Sequence, residues 1–277
     1  GTRFSVPVPQ RDMPISEYKG NFKGNLTFVS VDKENGDMDI AFQILVPGYN
    51  YDLAHSGKGK SHGWMFFSCY NTEEANTKLE ATASQNDKDY IAAVNWKLAE
   101  KYVSEGKAHD METRYMNNVM DHHTHTTTSK TVNTVKVLIP EECPGLIYYL
   151  PTPKSPHGVD VDPTGDYIVG NGKSSSDMSV HSYDNMLEAI EAEDYEKVID
   201  GIPVLTYESV LGGIVKRPGL GPLHTEFDGK GNAYTSFFIS SEVVKWKLGT
   251  WEIVDRAPSY YSIGHLMIPG GDSKQPW

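Results

Sequence analysis

The feature that most constrains this chain is a hairpin unit that occurs twice, each time opened by a histidine. One copy reads SPHGVDVDPTGDYIVGNGK, from Ser155 to Lys173, and the other reads GPLHTEFDGKGNAYTSFF, from Gly221 to Phe238. In each copy, an alternating run after the histidine leads through a D-x-x-G turn into a second strand-like run. Such alternation is typical of β-strands, and the glycine suits a tight turn because it accepts positive φ. His157 and His224 therefore hold matching positions in a repeated unit.

The spacing of these hairpins favours a β-propeller. The two histidines lie 67 residues apart, and Asn25–Gly48 repeats the strand–turn–strand part without a histidine. Hairpins that recur at intervals of tens of residues, with long insertions, predict an all-β fold built from irregular propeller blades. The alternative is a β-sandwich in which the D-x-x-G hairpins are coincidental. In a propeller, the inner strands of successive blades face one axis, so equivalently placed histidines converge.

Two stretches interrupt the strand pattern with a helical period. Trp96–Lys107 and Asn185–Gly201 carry apolar residues at a spacing of about 3.6 and end near glycine. Both follow a strand, where an insertion between blades would lie. The sequence therefore predicts a β-propeller with helical insertions.

The composition excludes two classes of partner. The 277 residues include 25 Lys+Arg and 37 Asp+Glu, for a net charge of −12. Nucleic acids and anionic membrane surfaces require clustered cations, so neither is expected as the main partner. No apolar run approaches the roughly 20 residues of a membrane span, so none is predicted.

The cysteines and histidines bound the kind of metal site. Cys69 and Cys143 each lie beside an apolar run and form no zinc pattern, so we expect two buried thiols; a disulfide is the alternative. With ten histidines in the chain, a transition-metal site would be built on imidazole. A lone histidine is more often a turn or core residue than a ligand. The matched positions of His157 and His224 nevertheless mark them as candidate ligands.

Other histidines are weaker candidates on the sequence alone. His265, in YYSIGHLMIPGGD, follows strands and precedes a Pro-Gly-Gly turn. His122, His123 and His125 lie in DHHTHTTTSK, where an extended chain would point adjacent side chains to opposite faces. The Thr-rich flank favours a solvated loop, and a surface metal site is the alternative.

At these residues the sequence resembles nitrous-oxide reductase, a copper enzyme family of denitrification. The resemblance is carried by FFSCYNTE, SPHG, GLGPLHTEFDGKGNAYTSFF, SSEVVKW and the IGHL histidine, and it runs along nearly the whole chain. The stretches LPTPKSPHGVDVDPTG and IPGGDSKQPW are more similar to the second, more divergent branch of the family.

The resemblance implies a fold and a metal centre. The family has a seven-bladed propeller followed by a cupredoxin domain, and a sulfide-bridged four-copper cluster held by seven histidines. By resemblance, His157, His224 and His265 are three of those ligands. The other ligands, and the cupredoxin domain with its two-copper centre, are expected outside residues 1–277. We therefore expect a partial propeller domain that is inactive alone. His122 and His123 lie in the wrong place for the family's paired histidines, so that role is not transferred.

The resemblance also implies a calcium site and a nearby cation. Tyr70 and Glu73 match the family's calcium motif, and Asp89 is a looser match. Ser155 stands where the other branch has an asparagine ligand, which weakens the calcium expectation. Lys245 of VVKW is a candidate catalytic charge near the cluster.

The implied activity is the two-electron reduction of nitrous oxide to dinitrogen and water. The implied setting is periplasmic, with cytochrome c or a cupredoxin as electron donor and a head-to-tail homodimer. Two other functions remain open: a non-enzymatic propeller that binds a partner on one face, and a propeller enzyme with one metal on three or four histidines.

Overall fold

The computed structural model describes residues 23–72, 86–116 and 130–270, and for 113–116 and 130–133 only the backbone is described. The strands are β1 (Gly24–Val31), β2 (Met38–Val46), β3 (Asn50–Ser56), β4 (Trp64–Tyr70), β5 (Lys88–Asn95), β6 (His109–Met116), β7 (Lys130–Leu138), β8 (Ile147–Pro153), β9 (Pro156–Val161), β10 (Tyr167–Gly172), β11 (Met178–Ser182), β12 (Tyr195–Ile199), β13 (Ile202–Leu205), β14 (Leu211–Val215), β15 (Pro222–Phe227), β16 (Asn232–Phe237), β17 (Glu242–Lys247) and β18 (Ile253–Pro258). The helices are α1 (Trp96–Ser104), α2 (Tyr183–Glu191) and α3 (Tyr207–Val210), with single 3-10 turns at Gly59–Ser61 and Pro140–Glu142.

These strands form four sheets, here numbered I to IV. Sheet I has the order β1-β2-β7-β6, sheet II β3-β4-β5-β8-β13-β12, sheet III β9-β10-β11-β14 and sheet IV β15-β16-β17-β18. Sheet IV is an uninterrupted antiparallel meander, and sheet III differs only by an excursion between β11 and β14. A four-stranded antiparallel sheet of this kind is the blade of a propeller.

The sheets stack face to face in chain order, with one apolar core in each gap. The core between sheets I and II includes Leu26, Phe42, Ile44, Ala92 and Tyr149. The core between sheets II and III includes Phe66, Ile91, Ala93, Val159 and Ile168, and α2 packs against it. The core between sheets III and IV includes Val169, Val180, Phe227, Phe237 and Trp246.

Strand β5 shows how the sequence directs two cores at once. Its residues alternate between the two faces of sheet II, so Ala92 faces sheet I while Ile91 and Ala93 face sheet III. A strand buried on both faces reads as a continuous apolar run, as DYIAAVN does.

The first strands of sheets II, III and IV lie side by side. Strand β9 packs against β3 on one side and against β15 on the other. This is the radial arrangement in which inner strands surround a shared axis, and it confirms the predicted all-β class and β-propeller architecture. Seven blades remain an expectation from the resemblance.

The predicted turns are confirmed by their hydrogen bonds. In the unit opened by His157, the Asp162 carbonyl accepts from the Gly165 N–H at 3.0 Å, and Gly165 has φ of +79°. The Asp228 carboxylate accepts from the backbone N–H groups of Lys230 and Asn232, at 2.8 and 3.1 Å. Aspartate therefore stabilises both turns through its side chain as well as its backbone.

One predicted helix is confirmed and the other is half wrong. Helix α1 begins at Trp96, where the Asn95 side chain accepts from the Leu98 N–H at 3.0 Å. Helix α2 ends at Glu191, whereas the prediction continued to Gly201. The remainder forms strand β12, which pairs with β13 through a tight turn at Asp200 and Gly201, both at positive φ. Pairing of β13 to β8 in sheet II overrides the helical period there.

The predicted state of the cysteines is also confirmed. Cys69 and Cys143 are both buried and both free thiols. None of the helices in the described ranges is both long and apolar enough to cross a membrane.

The buried histidine His181 makes the stability of the folded protein depend on pH. It is fully buried on β11, and its Nε2 lies 2.8 Å from the carbonyl oxygen of Pro151. Burial lowers the pKa of His181 below the ordinary 6.5, although the carbonyls of Pro151 and Ile168 act in the opposite direction. As the pH falls below about 6.5, the unfolded chain takes up a proton at this site before the folded chain does, so stability declines.

We expect the His181→Gln variant to lose less stability between pH 7 and pH 5 than the parent, because glutamine can donate to Pro151 without titrating. The difference is at most about 1.4 kcal/mol per pH unit, the limit for one proton. Denaturant titrations at several pH values measure it, with His62→Gln, which removes an exposed imidazole, as the control. Parallel stability–pH curves for the parent and His181→Gln would contradict the assignment.

Candidate metal centre

Three histidines that are distant in sequence meet at one place. His157 lies on β9, His224 on β15 and His265 in the segment after β18. One ring nitrogen from each lies within 4.8 Å of those from the other two. The ring centroids of His157 and His224 are 5.1 Å apart, and those of His224 and His265 are 4.1 Å apart and stacked. The structure thus brings together all three histidines that the sequence singled out.

The approach of β9 to β15 requires a glycine after the first histidine. A Cβ atom at Gly158 would lie 1.9 Å from the carbonyl oxygen of Leu223, far inside van der Waals contact. Gly158 follows His157, and Leu223 precedes His224. The absent side chain therefore lets the two strands, and the two imidazoles that they carry, come close together.

A buried hydroxyl connects the second histidine to the third. The Ser236 hydroxyl accepts from the backbone N–H of His224 at 3.3 Å and donates to the carbonyl oxygen of Gly264. Ser236 lies on β16, beside β15, and is fully buried. It therefore holds the segment that carries His265 against the strand that carries His224.

A carboxylate on the neighbouring sheet orients the first histidine. His157 Nδ1 lies 2.7 Å from Asp52 Oδ2, and Asp52 lies on β3. Burial acts to raise the pKa of Asp52, but the hydrogen bond and charge of His157, with Lys173, leave it lowered. The ionised carboxylate can only accept, so Nδ1 of His157 carries the proton. In the neutral ring, Nε2 then keeps its lone pair for a ligand bond.

The second histidine is poised to bind a positive ion. Burial lowers the pKa of His224; Asp160 acts to raise it, and the facing rings of His265 and His157 lower it further. The ring is therefore neutral near pH 7. Its Nε2 atom is buried and has no hydrogen-bond partner in the described part of the chain. A buried acceptor without a partner costs about 1–3 kcal/mol, and a metal ion would satisfy it.

The donor set fits a transition metal. Three imidazoles whose ring nitrogens lie within 4.8 Å of one another suit copper, zinc, iron or nickel. His157 and His224 are half-buried on β9 and β15, and His265 is exposed in the segment after β18. The cluster therefore combines two ligands on strands with one on a segment without regular secondary structure.

The structure describes two of the three predicted calcium ligands. Asp89 is fully buried on β5, opposite the end of β4 where Tyr70 lies. Its carboxylate accepts from the Thr72 hydroxyl at 2.9 Å and from the Ser155 N–H at 2.6 Å, and the Lys173 ammonium lies 4.8 Å from the Tyr70 ring. Glu73 lies outside the described residues. Calcium takes six to eight oxygen ligands, so these residues alone do not complete a site.

Lys245 lies away from the strand that carries His224. It is on β17, two strands from β15, which is roughly 10 Å at ordinary strand spacing. Its ammonium group lies 5.5 Å from the centre of the Tyr234 ring. A catalytic role for Lys245 remains a prediction. His122, His123 and His125 lie outside the described residues.

Sequence reasoning did not identify Asp52 or Ser236. Asp52 lies outside both histidine units, whereas Ser236 lies in the second strand of the unit opened by His224, and each reaches its partner from a different strand. The available signal for Asp52 was its place on a strand that precedes the His157 unit and could lie at the same axis.

Comparisons with known proteins agree with the motifs. The chain is 30% identical over 225 residues to nitrous-oxide reductase of Pseudomonas fluorescens, a match to 80% of this chain and 29% of the relative. It is 30% identical over 280 residues to nitrous-oxide reductase of Cupriavidus necator, a match to 96% of this chain and 38% of the relative. The relative from Stutzerimonas stutzeri is 31% identical over 219 residues.

This chain is similar to part of nitrous-oxide reductase.

The similarity is partial in length. The chain spans between 28% and 38% of the curated nitrous-oxide reductases that it matches. A scan against protein-family models finds no match. The resemblance predicted from the motifs is thus confirmed as a divergent region similar to nitrous-oxide reductase.

Solved structures are only loosely similar. A periplasmic gluconolactonase of Pseudomonas aeruginosa has a TM-score of 0.45 at 13% identity, covering 88% of this chain and 52% of its own. Sqt1 of Chaetomium thermophilum has a TM-score of 0.40 at 6% identity, covering 91% of this chain and 42% of its own. The propeller architecture of the nitrous-oxide-reductase-like region rests on its own sheets.

A side chain at Gly158 should separate the two strand-borne histidines. We expect Gly158→Ala to destabilise the protein by about 1–3 kcal/mol, the usual cost of overpacking, because Leu223 must move. Denaturant unfolding measures the change. Gly264→Ala is the matched control, since Gly264 is also adjacent to a cluster histidine and a Cβ there meets no atom within 4 Å. Equal effects of the two substitutions would show that the contact at Leu223 is unimportant.

Proposed function

We propose that this chain is part of a copper-dependent nitrous-oxide reductase, which converts nitrous oxide, two electrons and two protons into dinitrogen and water. The observation that supports it most directly is the convergence of His157, His224 and His265, with an unpartnered buried Nε2 on His224. The similarity to nitrous-oxide reductases supplies the reaction class.

In this proposal the three histidines are copper ligands. A bound, reduced copper cluster supplies the electrons and the coordination that a small, nearly apolar substrate requires. His157 would bind through Nε2, because Asp52 occupies Nδ1, and His224 would bind through its buried Nε2. The remaining ligands of a four-copper sulfide cluster, and a two-copper centre, would come from chain outside these residues.

The protein's own groups orient the ligands and limit the access of water. Asp52 holds the His157 ring through one nitrogen, and Ser236 holds the segment that carries His265 against the strand that carries His224. Two of the three rings are half-buried. Lys245 would stabilise negative charge that develops on the departing oxygen if other parts of the protein bring it to the cluster.

The wider setting follows the same proposal. The enzyme would be periplasmic, receive electrons from cytochrome c or a cupredoxin, and form a head-to-tail homodimer. Calcium would bind near Tyr70 and Asp89 with further oxygen ligands, including Glu73. A non-enzymatic binding propeller is the competing function.

Replacement of His224 tests the proposal. In the full-length protein, we expect His224→Ala to reduce nitrous-oxide reduction to background and to lower the copper content per chain. Elemental analysis and an assay with a chemical reductant measure the two quantities, and His62→Ala serves as the control. A full copper complement with normal turnover in His224→Ala would refute the assignment of His224. A parent protein that binds no copper would favour the binding propeller instead.

A further inference from the structure

Two breaks in strand register meet beside the histidine cluster. The pairing of β9 with β10 shifts between Gly170 and Gly172, so His157 and Gly158 of β9 lie opposite the single residue Asn171. The pairing of β15 with β16 shifts between Pro222 and Thr225, and His224 lies within that break. The strand that carries His224 is therefore not fixed at this point by an ordinary ladder.

The buried carboxylate of Asp160 lies between the two breaks. Asp160 is on β9 and is 7% exposed. Its Oδ2 accepts from the Asn171 side-chain amide at 2.8 Å and from the Thr225 N–H at 2.7 Å. Its Oδ1 lies 3.7 Å from Nδ1 of His55 on β3. One side chain thus contacts both irregular segments and the neighbouring sheet.

The contact continues into a buried polar network. The Thr225 hydroxyl donates to Asn171 Oδ1 at 3.2 Å and lies 2.8 Å from the Thr235 hydroxyl. The Trp246 indole N–H donates to the Thr235 oxygen at 2.9 Å. This network crosses from sheet III into three strands of sheet IV. A buried network of satisfied partners fixes geometry because every rearrangement leaves a polar group unpaired.

We propose that Asp160 is a positioning residue for the histidine cluster. Its hydrogen bond with the backbone N–H of Thr225 sets the distance between His157 and His224. His157 precedes Asp160 on the same strand, and His224 immediately precedes Thr225. Within the break the backbone N–H of His224 bonds the Ser236 hydroxyl, and the Asp160 carboxylate holds the next residue, Thr225. The carboxylate therefore transmits the position of β9 to the imidazole carried by β15.

The first test compares metal-free crystal structures of the full-length protein. In Asp160→Ala we expect the His157–His224 ring separation to differ from that of the parent by about 1 Å or more, since nothing replaces the carboxylate oxygen. In Asp160→Asn the separation should be kept, because the amide oxygen still accepts from Thr225. Asp228→Ala is the matched control, because Asp228 bonds several groups of a turn in sheet IV, the sheet that carries His224. An unchanged separation in Asp160→Ala would overturn the proposal.

The second test measures copper(I) affinity by competition with a chromophoric chelator, and this readout alone rests on the proposed function. We expect Asp160→Ala to bind about 10- to 100-fold more weakly, the usual effect of losing a group that orients a ligand. Asp160→Asn should stay within about threefold of the parent, and Asp228→Ala should lose stability without losing affinity. Equal losses in the alanine and asparagine variants would overturn the hydrogen-bond mechanism. If the parent binds no copper, the proposed function fails, and the crystal structures still decide the role of Asp160.

Discussion

The close contact between β9 and β15 is the constraint on which the site depends. Backbone atoms of the two strands approach so closely that a Cβ at Gly158 would meet the Leu223 carbonyl at 1.9 Å. Each strand belongs to a different sheet, and each carries one histidine. The same approach buries the polar groups of Asp160, Asn171 and Thr225, which must then satisfy one another. The separation of the two histidine-bearing strands and the hydrogen bonds of these buried polar groups thus both depend on the gap between β9 and β15.

The three histidines are positioned by side chains from three different sheets. Asp52 acts from sheet II, Asp160 from sheet III and Ser236 from sheet IV. Each contacts a ring or the backbone beside it, so the cluster is assembled by three sheets. Such convergence on rigid strands suits a centre that must hold ligand atoms at fixed positions.

Local features of the fold were predictable and relations between sheets were not. The D-x-x-G turns at Asp162 and Asp228 could be read from the sequence, because an aspartate side chain and a glycine with positive φ decide them within a few residues. The meeting of His157 with His224 followed from their equivalent positions in a repeated unit. The end of α2 was missed because Tyr195–Ile199 becomes a strand by pairing with β13, which in turn joins another sheet. Asp52 and Asp160 were missed for the same reason, since their partners lie on strands far along the chain.

The sheets are completed by chain that arrives late. Strand β7 joins β2 of sheet I after an excursion through sheet II and α1, and β13 joins β8 of sheet II after an excursion through sheet III and α2. During synthesis, sheet I therefore waits for residues up to Leu138, and sheet II waits for residues up to Leu205. Sheets I and II are each left with an open edge on the ribosome until part of the next sheet has emerged. The early sheets of such a nascent chain are completed late. Their strands therefore remain exposed to mispairing for longer than the strands of a propeller whose blades are each completed before the next begins.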